Sequence, residues 1–223
     1  MTKRFALEGI RVADFSWAYA GPYLTRLLAD MGAQVIKIES RTRPDIVRVT
    51  GPFLDNKPGL NRSGFFNELN RNKRSVTLDL TKPKGVELAR EIIKLSDLVV
   101  ENYAPRVMEK VGLHYQALKA IKPDIIMCSL SGFGATGPER DFVSFGSGQV
   151  PLSGLGYLTG YRDTPPARTP MAYPDPTSGL WGAGMVLAAL YYRQRTGKGQ
   201  YIDLSELEVA VTTIGGAIIE YTL

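Results

Sequence analysis

Asp175 is set between two prolines, in Ala172-Tyr173-Pro174-Asp175-Pro176-Thr177-Ser178-Gly179. A residue before proline is pushed out of the α region, and proline suits the first helical position. Asp175 is therefore expected to be the N-cap of a helix, where free N–H groups and the helix dipole stabilise negative charge. Such an acid can be a cap and no more. It can also be a pinned, ionised carboxylate able to attack an activated acyl group. Local sequence leaves both readings open.

Other candidates are weaker. Gly132-Phe133-Gly134-Ala135-Thr136-Gly137 fits G-x-G-x-x-G behind a predicted strand. However, Pro138-Glu139-Arg140-Asp141 follows instead of an amphipathic helix, and no acid closes a second strand about 20 residues on. This is a glycine-rich turn near a ligand rather than a dinucleotide fingerprint. Arg71, Lys73 and Arg74, with Arg41, Arg43 and Arg48, could embrace phosphates, or could form a solvated basic face. His114, at the mouth of a short helix, reads as a capping or surface residue. Cys128, in the apolar run IIMCSL, reads as a small buried hydrophobe.

Composition narrows the chemistry. A single cysteine excludes a disulfide framework and a cysteine-based zinc site. A single histidine argues against a histidine-rich metal centre or a Ser-His-Asp machine. Catalysis falls to acids, lysines and tyrosines, with no metal expected. The 223 residues are 44% apolar and 22% charged, ordinary for a globular chain with a real core. Lys and Arg outnumber Asp and Glu by 27 to 22, which suits an anionic ligand. No nucleic-acid motif is present, so nucleic acid is not an expected partner. The apolar runs at 180–192 and 209–219 fall short of the roughly 20 residues of a bilayer span, and the N-terminus lacks a signal-peptide run. The expectation is a reduced, cytoplasmic protein with no membrane partner.

The elements that must position these residues follow a strand–helix rhythm. Strands are expected at 11–15, 34–39, 75–80, 98–101, 125–130 and 200–204. Helices are expected at 23–31, 83–95, 105–111, 115–121, 176–195 and 205–223. Residues 40–72 and 132–176 read as long irregular loops. Gly179, Gly182 and Gly184 would let a neighbour approach the long helix closely. The strands are mostly continuous apolar runs, as a parallel sheet buried on both faces requires. The fold class is α/β, an open parallel Rossmann-like sheet with helices on both faces.

Several blocks then combine into one pattern. LADMGAQVIKIE at 28–39, behind Ala20-Gly21-Pro22, is followed by NRNKRSVTLDL at 70–80, DLVVENY at 97–103 and VGLHY at 111–115. SGFGATGP at 131–138, DPTSG at 175–179 and RTGKGQ at 195–200 complete it. In this order they resemble the family III CoA-transferases, which include formyl-CoA:oxalate and carnitine CoA-transferases. The likeness runs over essentially the whole chain.

The resemblance implies a nucleophilic aspartate at Asp175 that takes CoA from an acyl-CoA through covalent aspartyl intermediates and passes it to a small carboxylic acid. It implies CoA contacts at Tyr19, Ala20, Ser40, Arg41, Leu78, Asp79, Asn102, Tyr103, Ala104 and Lys110, with Tyr103 stacking on adenine and Arg41 and Lys110 neutralising phosphates. The family often has Arg where Ser40 and Lys110 stand, and Arg41 offers a guanidinium one residue on. An α-methylacyl-CoA racemase is an alternative of the same fold, but the segment 142–147 lacks the histidine of those enzymes. A non-catalytic CoA-binding half is another. Family members are about twice as long and form interlocked dimers. The expectation is thus a CoA-binding part over 1–200, a connecting strand and helix over 201–223, and a remainder supplied elsewhere, in a homodimer or by a second chain.

Overall fold

The computed structural model describes residues 5–167, 169 and 171–223. Strands β1 (Arg11–Asp14), β2 (Gln34–Glu39), β3 (Arg74–Thr77), β4 (Leu98–Glu101), β5 (Ile126–Ser131) and β6 (Tyr201–Ser205) form one sheet. Its order is β3-β2-β1-β4-β5-β6 and every pairing is parallel. Order reverses between β1 and β4, the switch point where open α/β sheets hold ligands. The helices are α1 (Ala20–Asp30), α2 (Gly64–Asn70), α3 (Pro83–Lys94), α4 (Val107–Lys110), α5 (Tyr115–Ile121), α6 (Gly146–Leu152), α7 (Leu155–Leu158), α8 (Pro174–Thr196), α9 (Glu206–Thr212) and α10 (Gly215–Thr222). Among the described residues none is long and apolar enough to cross a membrane.

Alternation along each strand builds two cores. Val12, Leu98, Val100, Ile126, Cys128 and Leu130 meet α1 and α8 on one face. Ala13, Val99 and Met127 meet α3, α4 and α5 on the other, through Ala89, Ile93, Met108 and Leu118. Cys128 is fully buried, as its apolar strand required. On the first face, α1 and α8 cross at very short range. A Cβ on Gly179 would lie 2.7 Å from the Ala20 carbonyl oxygen, and one on Gly182 would lie 2.5 Å from Leu24 Cδ1. Gly184 has no such neighbour, so only two of the three expected glycines serve the crossing.

Four expectations are corrected. Residues 40–72 are not all loop, because Ser63 Oγ accepts from the Phe66 N–H at 3.1 Å and opens α2, which buries Phe66 and Leu69. Residues 132–176 contain α6 and α7. The last helix is broken at Thr213 and Ile214, ahead of Gly215 and Gly216, into α9 and α10. Finally, Asp175 is not the N-cap of α8. Pro174 opens the helix, Tyr173 stands at the cap, and Asp175 lies in the first turn with its N–H on the Ala172 carbonyl at 3.0 Å. β6, beyond the expected boundary at 200, pairs with β5 over its whole length.

Candidate active site

The carboxyl ends of the strands open into a cavity of about 590 Å³. Its wall is laid down in strand order: 15–18 after β1, 38–40 with Thr42 and Arg43 after β2, 78–81 after β3, 102–105 after β4 and 130–132 at the end of β5. Residues 142–145, Asp175 and Glu206 close it.

The end nearest the switch point is tied down by polar contacts. Asn102 clamps the Trp17 backbone, accepting its N–H at 2.9 Å and donating to its carbonyl at 2.9 Å. Asp45 accepts the Ala18 N–H at 2.9 Å and pairs with Lys37 at 3.0 Å, while Lys37 donates to the Ser16 carbonyl at 2.8 Å. Beneath them Asp14 accepts from Thr25 Oγ1 at 2.7 Å, the Ser16 N–H at 3.0 Å and Lys73 Nζ at 3.1 Å. Burial pushes the Asp14 carboxyl up, but Lys73, Lys37 and the two hydroxyls outweigh it and hold it low. Burial likewise pulls the Lys73 ammonium down to about 8 against the Asp14 charge.

Over this base the Arg43 guanidinium sits 5.2 Å from the Trp17 ring, and Trp17 and Tyr103 lie 6.3 Å apart. Burial, reinforced by the Glu101 carboxylate, keeps the Tyr103 phenol protonated. An aromatic pair beside a guanidinium suits a base with attached phosphates.

The other end carries acids. Asp175 and Glu206 are 8% and 7% exposed. Gly146, at the start of α6, packs so closely on Asp175 that an added Cβ would fall within the carboxylate. Burial pushes the Asp175 carboxyl up to about 6, against the N–H groups of Asp175 and Gly146, which favour its charge. Desolvation thus outweighs the N–H groups at the helix terminus. Glu206 is pushed up to about 8, first by burial and then by the Asp175 charge. Two buried acids in one cavity share their protons, and Asp175, the less raised of the two, gives its proton up first. Nearby, Ser131 Oγ, Gln149 Oε1 and Ser178 Oγ are buried with no hydrogen-bond partner among the described residues. Unmet polar atoms of this kind are where a ligand can be held.

Of the residues named from sequence, Ser40, Leu78, Asp79, Asn102, Tyr103, Ala104 and Asp175 line this one cavity. Tyr19, Ala20, Arg41 and Lys110 do not. Ala20 is buried beneath α8. Tyr19 packs on Phe65 at 5.3 Å, and its phenol is raised by burial and then by the Asp175 charge. Arg41 and Lys110 are exposed, and among the described lining residues the cation is Arg43. The basic run does not face the cavity: Arg71 and Asn72 hold Asp30 at 2.6 and 2.7 Å, and Arg48 holds Glu39 at 2.6 Å. His114 stands at the start of α5 without a side-chain cap bond and lines a separate cavity of about 120 Å³. Among the described residues no group of three or more His, Cys, Asp and Glu is placed to hold a metal ion.

Sequence reasoning missed Trp17, Gly146 and Glu206, and named Arg43 only as one of a basic group that could embrace phosphates or form a solvated face. Glu206 alone offered a signal, directly after a strand end, where sites of parallel sheets collect.

The model of CoA-transferase family III matches residues 7–223. Among curated proteins, the chain is 36% identical over 219 residues to the succinate–glutarate CoA-transferase of Agrobacterium fabrum, covering 97% of this chain and 55% of that protein. It is 41% identical over 202 residues to the formyl-CoA:oxalate CoA-transferase of Bradyrhizobium sp., covering 91% of this chain and 46% of that one. A crystal structure of a CAIB/BAIF family protein from Brucella suis superposes with a TM-score of 0.92 at 34% identity, over 99% of this chain and 58% of that one. The chain spans about half the length of the curated relatives it matches.

Proposed function

Since this chain belongs to CoA-transferase family III, we propose that it supplies the CoA cavity and the nucleophile of an enzyme moving CoA between carboxylic acids. What carries the reading is that Asp175 and strand-end residues suited to a nucleotide line one cavity. Arg43, Trp17 and Tyr103 hold the adenosine phosphate end, with Ser40, Asp79 and Asn102 shaping the wall. The thioester then reaches Asp175.

An Asp175 oxygen bonds to the acyl carbon, and the C–S bond breaks with its electron pair on sulfur. The CoA thiolate next bonds to the Asp175 carboxyl carbon, and the anhydride C–O bond breaks to release the first acid. An acceptor carboxylate oxygen bonds to the Asp175 carboxyl carbon of this thioester, and the C–S bond breaks to give a second anhydride and the thiolate. The thiolate then bonds to the new acyl carbon, and the C–O bond breaks to free the Asp175 carboxylate. The anhydrides are sensitive to water, so a closed pocket is needed. Arg43 takes the phosphate-neutralising role that Arg41 and Lys110 were expected to share. The rest of the enclosure is proposed to come from a second copy interlocked with the first, or from another chain, acting in the cytoplasm.

One observation favours a second reading. Asp175 and Glu206, one readily ionised and one holding its proton, form an acid–base pair of the kind an α-carbon proton transfer would use. A single experiment separates the two. The complete protein is incubated with succinyl-CoA and a panel of carboxylates in deuterium oxide. Transfer of CoA without α-deuteration supports the first reading, and α-deuteration without transfer replaces it with the second.

A further inference from the structure

Glu206 is placed with unusual care for a residue no motif singled out. It opens α9 immediately after β6, and the turn is held on both sides of it. Ser205 Oγ donates to the Gly132 carbonyl at 3.3 Å and accepts the Glu208 N–H at 3.3 Å, while the Leu207 N–H donates to the same carbonyl at 3.0 Å. The side chain between these anchors lines the Asp175 cavity yet makes no hydrogen bond or ion pair among the described residues. Among the described residues no cation pairs with it, and the charge acting on it is that of Asp175. From the elements packed on α9, α8 presents Asp175, while α6 and its approach present the uncharged Ser144 and Gln149. β6 carries Asp203, which is occupied with the Ala135 N–H at 3.0 Å.

We propose that Glu206 is a second catalytic residue, a neutral carboxylic acid donating a hydrogen bond to the single negative charge that the reaction passes from Asp175 to the CoA sulfur and on to the released acid. The inference rests on the CoA-transfer reading. In that cycle one charge is conserved throughout: on the Asp175 carboxylate, then the thiolate, then the leaving carboxylate. The Glu206 proton stays on Glu206 at every step, so protons and electrons balance. A fixed Lys or Arg would bind the resting Asp175 carboxylate and blunt its attack. A neutral donor serves each anion in turn, and in a dry cavity such a donor is worth far more than in water.

The test compares Glu206→Gln and Glu206→Leu in the complete protein, with thermal melts confirming that each folds. Gln keeps an N–H donor that does not titrate, so transfer at pH 7 is expected to fall far less than in the Leu variant. Leu removes the donor, and turnover is expected to fall about 10²–10³-fold with little change in KM, the scale of losing one such donor. Wild-type turnover is expected to fall above about pH 8, as Glu206 ionises, and the Gln variant is expected to lack that fall. A Leu variant as active as wild type, a Gln variant as impaired as Leu, or a Gln variant that retains the alkaline fall overturns the inference. Wild-type protein is the control: if it moves no CoA, the transfer reading fails instead.

Discussion

The two ends of the cavity are built on opposite principles. At the switch point the polar base is paired: Asn102 grips Trp17, Asp45 holds Ala18 and Lys37, and Asp14 is paired with Lys73. At the far end Asp175 and Glu206 are both buried and form no ion pair among the described residues, beside Ser131, Gln149 and Ser178 atoms that lack a partner among them. Satisfied networks fix a shape, whereas unsatisfied ones carry a cost that persists where chemistry requires it. One end is a mould for a ligand and the other a reactive centre, so substitutions at the two ends should separate binding from turnover.

The largest expected effect is at the reactive end. Asp175→Ala should lower CoA transfer by at least roughly 10⁴-fold, the scale of losing a covalent nucleophile. CoA affinity by calorimetry should change less than about threefold. A variant losing both in proportion would erase the distinction between the ends.

Gly146→Ala comes next. The new Cβ collides with the Asp175 carboxylate, so the nucleophile must move. A displacement near 1 Å costs about 10²-fold in rate, again with CoA binding preserved. Wild-type kinetics would refute the proposed contact.

At the mould end the effect should be smaller and fall on affinity. Arg43→Ala is expected to weaken CoA binding about tenfold, the equivalent of one charged hydrogen bond near 1.4 kcal/mol. Arg41→Ala and Lys110→Ala, both outside the lining, should each change it less than about twofold. The reverse ranking would restore the family's expected phosphate contacts over the ones the cavity offers.

The buried acids also make a stability prediction. Asp175 has its carboxyl raised by burial in the folded state, so its contribution to stability is present below the unfolded value near 4 and lost as pH rises through about 6. Asp175→Asn should therefore stabilise the protein by about 2–3 kcal/mol at pH 8, with the gain gone near pH 4. Denaturant melts at the two pH values check this. A variant equally stable or weaker at pH 8 would place Asp175 in an environment far wetter than its burial indicates.

Much of the fold was legible because the central strands β4 and β5 are buried nearly throughout and so read as apolar runs, as LVVE at 98–101 shows. Asp175 was legible because two prolines mark it. The helices α2, α6 and α7 were not, since each starts at or beside a glycine in a stretch that reads as loop, and α6 carries Pro151 inside it. Arg43 rather than Arg41 enters the cavity because Asp45 ties the chain to Ala18 and Lys37, a contact between segments far apart in sequence. Glu206 resembles any acid in the first turn of a helix, and its burial beside Asp175 exists only once β5 and β6 have paired.

The claim that Asp175 is the group that takes the acyl chain is tested most directly by trapping. The complete protein is incubated with succinyl-CoA, quenched with hydroxylamine and mapped by peptide mass spectrometry. The account predicts a hydroxamate on Asp175, formed only when the acyl-CoA is present and absent from Asp175→Ala. CoA transfer at full rate with Asp175 unmodified, or with the hydroxamate on Glu206, would contradict it.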